Sequence, residues 1–483
     1  MPRLTHDRIT RLAYAQLGLW GFFLYGFGPV VPLLRDEQGT SAAVAGLHST
    51  AIAVGSLVGG ALFAPVAGRI GRNPAIWAGL AGVAAGVAAF GVLRPLPATL
   101  AAVAVIATFG MMVISGVSVV LTTRHGAAAP AALTEANAAC AGMGILAPLV
   151  IGASVDAGLG WRPVMAVEVG LITLVALAAL TLRVRPPKGA PAPAAAADPA
   201  GVSAPVAADQ VAATAVRGDG VATASATGGA ADRAVVAALS GDGLASANAG
   251  PASAGASATA DLAGGTRSSA GAGGVAGRRG DSRAVGRLPR AYWIAWTLMA
   301  VTGSIEVCLS LWTADVLRSH AGLSAGTASA AVAAIVCGMF LGRLAGGRIA
   351  LRLPPIPLLL GALGVSLAGF ALFWSASVGW LAVTGLVVLG LGNALHYPLA
   401  ISIALAVAGR AADRAAGWAS YSMGIGFGIA PVVLGRVADG VGPHLAFLLL
   451  PGFIAVAALL AVRLGRSLRA NRPAPEPLAV PVA

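Results

Sequence analysis

Glu306 stands near the middle of an apolar run between Thr302 and Trp312 and is the clearest group with chemistry open to it. A carboxylate at mid-depth in a membrane helix costs about 2.5–3.5 kcal/mol on insertion scales, so its presence asks for a reason. That reason is either proton binding or a structural hydrogen bond to a neighbouring helix. His396 carries the same two readings, a proton role or a helix–helix bond. Asn393 and Tyr397 are four residues apart and share a helix face, with His396 beside them. Trp20 and Tyr25, Ser115 and Ser118, and Trp312 add aromatic and hydroxyl groups inside other apolar runs, where core packing is the competing role for the aromatics. Glu168 is a second intramembrane acid, expected near the outer interface. Arg343 is expected to snorkel to the cytoplasmic end of its helix. No nucleophile–base pair, phosphate-binding glycine loop or metal-ligand cluster is visible, so no catalytic residue, cofactor or metal is expected. Cys140, Cys308 and Cys337 lie in apolar runs without redox or zinc spacing and read as small core residues.

These groups must be positioned by membrane helices. The chain has 483 residues, 57% hydrophobic and 10% charged, against about 25% charged for a soluble protein. Apolar runs bounded by charge, Pro and Gly predict twelve spans of about 20 residues or more. The first six cover 12–34, 43–67, 75–93, 98–122, 134–156 and 162–182. The second six cover 291–314, 325–350, 356–375, 379–407, 415–438 and 444–463. Arginine sorts by loop. Arg8, Arg11, Arg69, Arg72, Arg124, Arg348, Arg352, Arg410, Arg414 and Arg463 fall on one side, and only Arg35, Arg94, Arg162, Arg318 and Arg436 on the other. The positive-inside rule then puts both termini in the cytoplasm of a bacterial cell, with the chain multi-pass in the plasma membrane. The net charge of +13 is spread through these loops, with no basic face for nucleic acid.

Residues 185–289 are Ala, Gly, Ser, Pro and Asp with almost no large apolar side chains, and predict a disordered cytoplasmic linker. The expected organisation is a cytoplasmic N-terminus (1–11), a six-helix bundle (12–184), this linker, a second six-helix bundle (290–465) and a cytoplasmic tail (466–483).

The two halves repeat at a nearly constant offset of about 280 residues. Ala147, Pro148, Gly152 and Asp156 recur as Ala430, Pro431, Gly435 and Asp439, and Gly68 with Arg69 recurs as Gly347 with Arg348. Parallel repeats imply a pseudo-two-fold axis along the membrane normal. The chain resembles the major facilitator superfamily over all but the middle segment. Its loop Gly68, Arg69, Ile70, Gly71, Arg72 is similar to the gating loop between that family's second and third helices, with Gly68 where the family has an acid. The second copy, Gly347 and Arg348, is weaker. Gly144, Pro148 and Gly152 resemble the fifth-helix motif of the family's antiporters, with Ala147 where a second glycine is usual. Independently of the family, Pro148 and Pro431 are places where a helix can bend.

The resemblance implies an all-α polytopic membrane protein of twelve transmembrane helices in two pseudo-symmetric six-helix bundles. It also implies that the first, fourth, seventh and tenth spans line a central cavity. Glu306 would lie there with Trp20, Tyr25, Ser115, Ser118, Trp312, Asn393, His396 and Tyr397, forming an aromatic-lined polar pocket. The expected function is secondary transport of a small molecule, driven by protons through Glu306 or His396, in a monomer. The alternative is a membrane sensor of the same fold. Export of a drug-like compound and import of a sugar or organic acid both stay open.

Overall fold

The computed structural model describes residues 6–182, 288–350 and 352–470. Among them twelve helices are long and apolar enough to cross a bilayer. Lipid offers no partner to a free backbone N–H or C=O, so spanning segments of this composition close their bonds within the helix except where a proline leaves a carbonyl for a neighbour. The first half comprises α1 (Arg8–Gln38), α2 (Ala42–Ile70), α3 (Arg72–Val92), α4 (Leu96–His125), α5 (Ala129–Asp156) and α6 (Arg162–Thr181). The second comprises α7 (Arg290–His320), α8 (Ala325–Ala331 and Ala333–Ala350), α9 (Pro355–Ser375) and α10 (Gly379–Asn393 and His396–Ala408), then α11 (Ala412–Val441) and α12 (Pro443–Ala446 and Leu449–Ala470). The expected linker, 185–289, lies outside the described residues except for its last two positions, as does the tail beyond 470.

Several helices run past their apolar windows because capped polar turns continue them. Asp7 accepts from the Thr10 N–H at the start of α1, and Ser41 accepts from the Val44 N–H at the start of α2. Gly39 ends α1 in the left-handed conformation, φ 61°. Gly55 and Gly59 of α2 lie against the carbonyls of Ala104 and Thr108 in α4, and Gly338 and Gly342 of α8 lie against those of Val387 and Leu391 in α10. The repeat is therefore one of packing as well as of letters. It extends to the backbone: Gly126 (φ 50°) and Gly409 (φ 53°) each turn the chain into a single 3-10 turn before α5 and α11.

The halves meet mainly toward the face opposite the starts of α1 and α7, called here the distal face. Arg35 pairs with Asp315 and with Asp36, and Arg318 reaches Asp36 at 2.7 Å. Asp439, at the end of α11, accepts the Ala42 and Ala43 N–H groups of α2 at 2.6 and 3.1 Å. Its repeat partner Asp156, at the end of α5, accepts from Ser324 and Thr327 at the start of α8, at 2.7 and 3.2 Å. One turn earlier, Gly435 lies against Ala42 and Gly152 against Gly326, contacts that a Cβ would block. Deeper in the membrane Pro431 has no N–H for the Phe427 carbonyl one turn back, and that carbonyl takes the Ser49 hydroxyl of α2 at 2.6 Å. Thr50 donates to the next carbonyl, Gly428.

Candidate functional site

A cavity opens between the halves. Its walls come from α1, α2 and α4 on one side and from α7, α8 and α11 on the other. The expected set of first, fourth, seventh and tenth spans holds for three members, and α10 supplies none of the lining residues. Trp20, Tyr25 and Glu306 line the cavity. Around them stand Leu24, Phe27, Ile52, Met111, Ile114, Ile335, Met339, Met423 and Phe427. Polar groups on the wall are few: Ser49, whose hydroxyl is already donated to Phe427, with Ser56 and Ser310.

Glu306 has no hydrogen bond or ion pair to another side chain among the described residues. Tyr25 is close enough for its ring oxygen to feel the Glu306 charge, and these two are the ionisable groups on the wall. Arg343 of α8 stands close enough to Tyr25 for its guanidinium to act on the phenol. This corrects the expectation that Arg343 snorkels to the membrane edge: it joins α8 to α1 across the two halves. Nothing in the spacing of α8 showed this, because a helix that is apolar all round gives no sign of which side faces its partner.

The other expected members of the pocket are elsewhere. His396 is buried with Nε2 3.2 Å from Ser366 Oγ of α9. The buried Asn393 amide points to Met339 Sδ at 3.8 Å, and Tyr397 is buried in the core. The physical reason is a break in α10 at Ala394 and Leu395. Pro398 lacks the N–H that would close the Ala394 carbonyl, so the helix is offset there and the polar triad packs within its own half. Ser115 is buried and Ser118 partly so, and neither is on the cavity wall. Trp312 is buried and donates to the Pro431 carbonyl at 3.3 Å, tying α7 to α11. Glu168, expected at the outer interface, is 0% exposed in α6 with neither oxygen paired. The expected polar pocket is thus an apolar, aromatic and methionine-lined cavity with one acid.

The remaining expected residues are distributed over both faces. Gly144 lies against the Tyr25 ring, and Pro148 and Pro431 sit inside helices that continue through them. Arg69 and Arg72 are exposed at the proximal end of α2 and α3 without an ion pair among the described residues, and a Cβ on Gly68 would touch nothing within 4 Å. Gly71 makes the turn between them at φ 90°. Gly347 and Arg348 lie outside the residues whose side chains are described.

A family model described as Major Facilitator Superfamily matches residues 17–420 and 291–481. No curated protein sequence matches the chain. Among solved structures, a bacterial homologue of the human lysosomal transporter Spinster superposes with a TM-score of 0.63 at 15% identity, covering 97% of this chain and 98% of that one. The nucleoside transporter NupG gives 0.62 at 14% identity, with 94% and 98% coverage. The human organic anion transporter MFSD10 gives 0.54 at 14%, with 95% and 100% coverage. At these identities the likeness is one of fold.

Proposed function

Since the chain belongs to the Major Facilitator Superfamily, we propose that it is a secondary active transporter, carrying a small solute through the Glu306 cavity by alternating access and driven by protons. The observation that carries this reading is an acid without a side-chain hydrogen bond or ion pair among the described residues, on the wall of a cavity between two halves sealed at one face. A carboxyl in such a place exchanges its proton when the cavity meets water and holds it when the cavity closes to a low-dielectric interior. The arginine distribution supports cytoplasmic termini, and in this reading the sealed distal face is the outer one and the conformer is open inward. Glu306 is the proton site in this reading, and His396, bonded within its own half, serves packing.

The test is reconstitution of the full chain in liposomes that enclose a pH-sensitive dye, with sugars, organic acids and amines offered in turn. A solute that moves protons through the wild type should fail to do so through Glu306→Gln, while the variant still exchanges that solute between the two sides. Proton movement of equal size through Glu306→Gln would overturn the assignment.

A further inference from the structure

Resting on the reading of this cavity as the transport site, we infer that its substrate is an amphiphilic organic cation that competes with the proton for Glu306. A sugar or nucleoside presents many hydroxyl or ring donors and acceptors, each of which needs a partner once buried. The wall supplies Ser56, Ser310, Tyr25 and the Trp20 indole as polar groups, and the Ser49 hydroxyl is spent on Phe427. An organic anion would have to enter beside Glu306, because Arg343 is behind Tyr25 and off the wall. A compact cation with a greasy body leaves no such debts of hydrogen bonding. Trp20, Tyr25, Phe27 and Phe427 put four aromatic rings on the wall, and such rings attract a positive charge. Met111, Met339 and Met423 give the walls soft side chains that re-pack around different shapes.

Exchange follows from the count of charges. Among the lining residues α2, α4, α8 and α11 contribute no titratable group, and α1 contributes only Tyr25, which is neutral throughout the physiological range. Glu306 is therefore the one acid available to both ligands. Cation binding to the protonated carboxyl displaces one proton to water and leaves the carboxylate paired with the cation; reprotonation releases the cation. Each cycle moves one monovalent cation against one proton, with no net charge transferred.

Tetraphenylphosphonium is a suitable probe, with tetraphenylborate as its anion of matched shape and a neutral sugar as the uncharged control. Equilibrium dialysis of the purified full chain should show the phosphonium bound and the borate and sugar at least tenfold weaker. In weak buffer near the Glu306 titration, binding should release up to one proton per cation, and affinity should fall about tenfold per pH unit below that titration. Glu306→Gln should lose at least tenfold in affinity with no proton release, and Glu306→Asp should restore both in part. Borate or sugar binding as tight as the phosphonium, or phosphonium binding without proton release by the wild type, would overturn the inference. If a neutral solute instead drives Glu306-dependent proton movement in liposomes, the substrate class is wrong while proton-coupled transport stands.

Discussion

Replacing Asp439 and Asp156 by alanine should open the distal face. Asp439 caps α2 from the other half through two backbone N–H bonds, at 2.6 and 3.1 Å. Loss of a helix cap costs about 1 kcal/mol, within a range of about 0.5–2. The carboxylate's attraction to the helix start adds about 0.5 kcal/mol at a partly exposed site. Asp439→Ala should therefore shift the closed-to-open ratio by about 1.5 kcal/mol, roughly tenfold, since 1.4 kcal/mol is a factor of ten. Asp156 acts at a separate helix start, through Ser324 and Thr327. Its bonds are to hydroxyls rather than to backbone N–H groups, and independent sites add, so the double variant should shift the ratio further than Asp439→Ala alone. Spin labels at Val92 and Trp380 report the change, since both are at distal helix ends in different halves and are 77% and 71% exposed. Cys337 would first be replaced by serine to keep labelling specific. Pulsed dipolar spectroscopy should show a longer distance gaining population, more in the double variant than in either single one. Asp439→Asn should fall between, because it keeps the acceptor and loses the charge. An unchanged distance distribution in the double alanine variant would refute the argument that these caps hold the face shut.

Pro431→Ala restores a helical N–H to compete for the Phe427 carbonyl, so it should weaken the Ser49 bond and increase hydrogen exchange in the distal part of α2, as Ser49→Ala should. Gly59→Leu should lower the unfolding temperature of the detergent-solubilised protein, because the added side chain meets the Thr108 backbone, and overpacking costs about 1–3 kcal/mol; a melt equal to wild type would contradict the packing. Tyr25→Phe removes the phenol oxygen beside Arg343 and should lower the unfolding temperature, with Arg343→Gln adding little once the phenol is gone; additive losses would show that the two act separately. Reporter fusions at the C-terminus should read cytoplasmic and one at Arg94 external; the reverse pattern would make the conformer open outward.

The twelve spans and the two halves were legible because each depends on composition along the chain. Matching Asp156 and Asp439 were legible as letters, although their bonds across the halves to helix starts were not. What the sequence could not give was azimuth. Glu306, Trp20 and Tyr25 reached the cavity as expected from their helices, but a helix apolar on every side does not reveal which residues face its neighbour. Asn393, His396 and Tyr397 were misplaced for that reason and because the break upstream of Pro398 changes the register of α10. The three cavity methionines carried no signal at all: a methionine in a membrane helix is as ordinary facing lipid as facing a ligand.

The paired caps also have a mechanical meaning. Each half presents its own acid to the start of a helix in the other, which is the pattern of an isologous contact between like partners, here joined in one chain. A tilt of the two halves away from the pseudo-two-fold axis lengthens both contacts together, so they behave as one catch with two teeth and resist any motion that releases only one. The acid at the centre has no such twin, since α1 carries no carboxylate before Asp36. A balanced pair of levers thus swings around a single off-axis charge, and the protein keeps its mechanics symmetric while its chemistry belongs to one side.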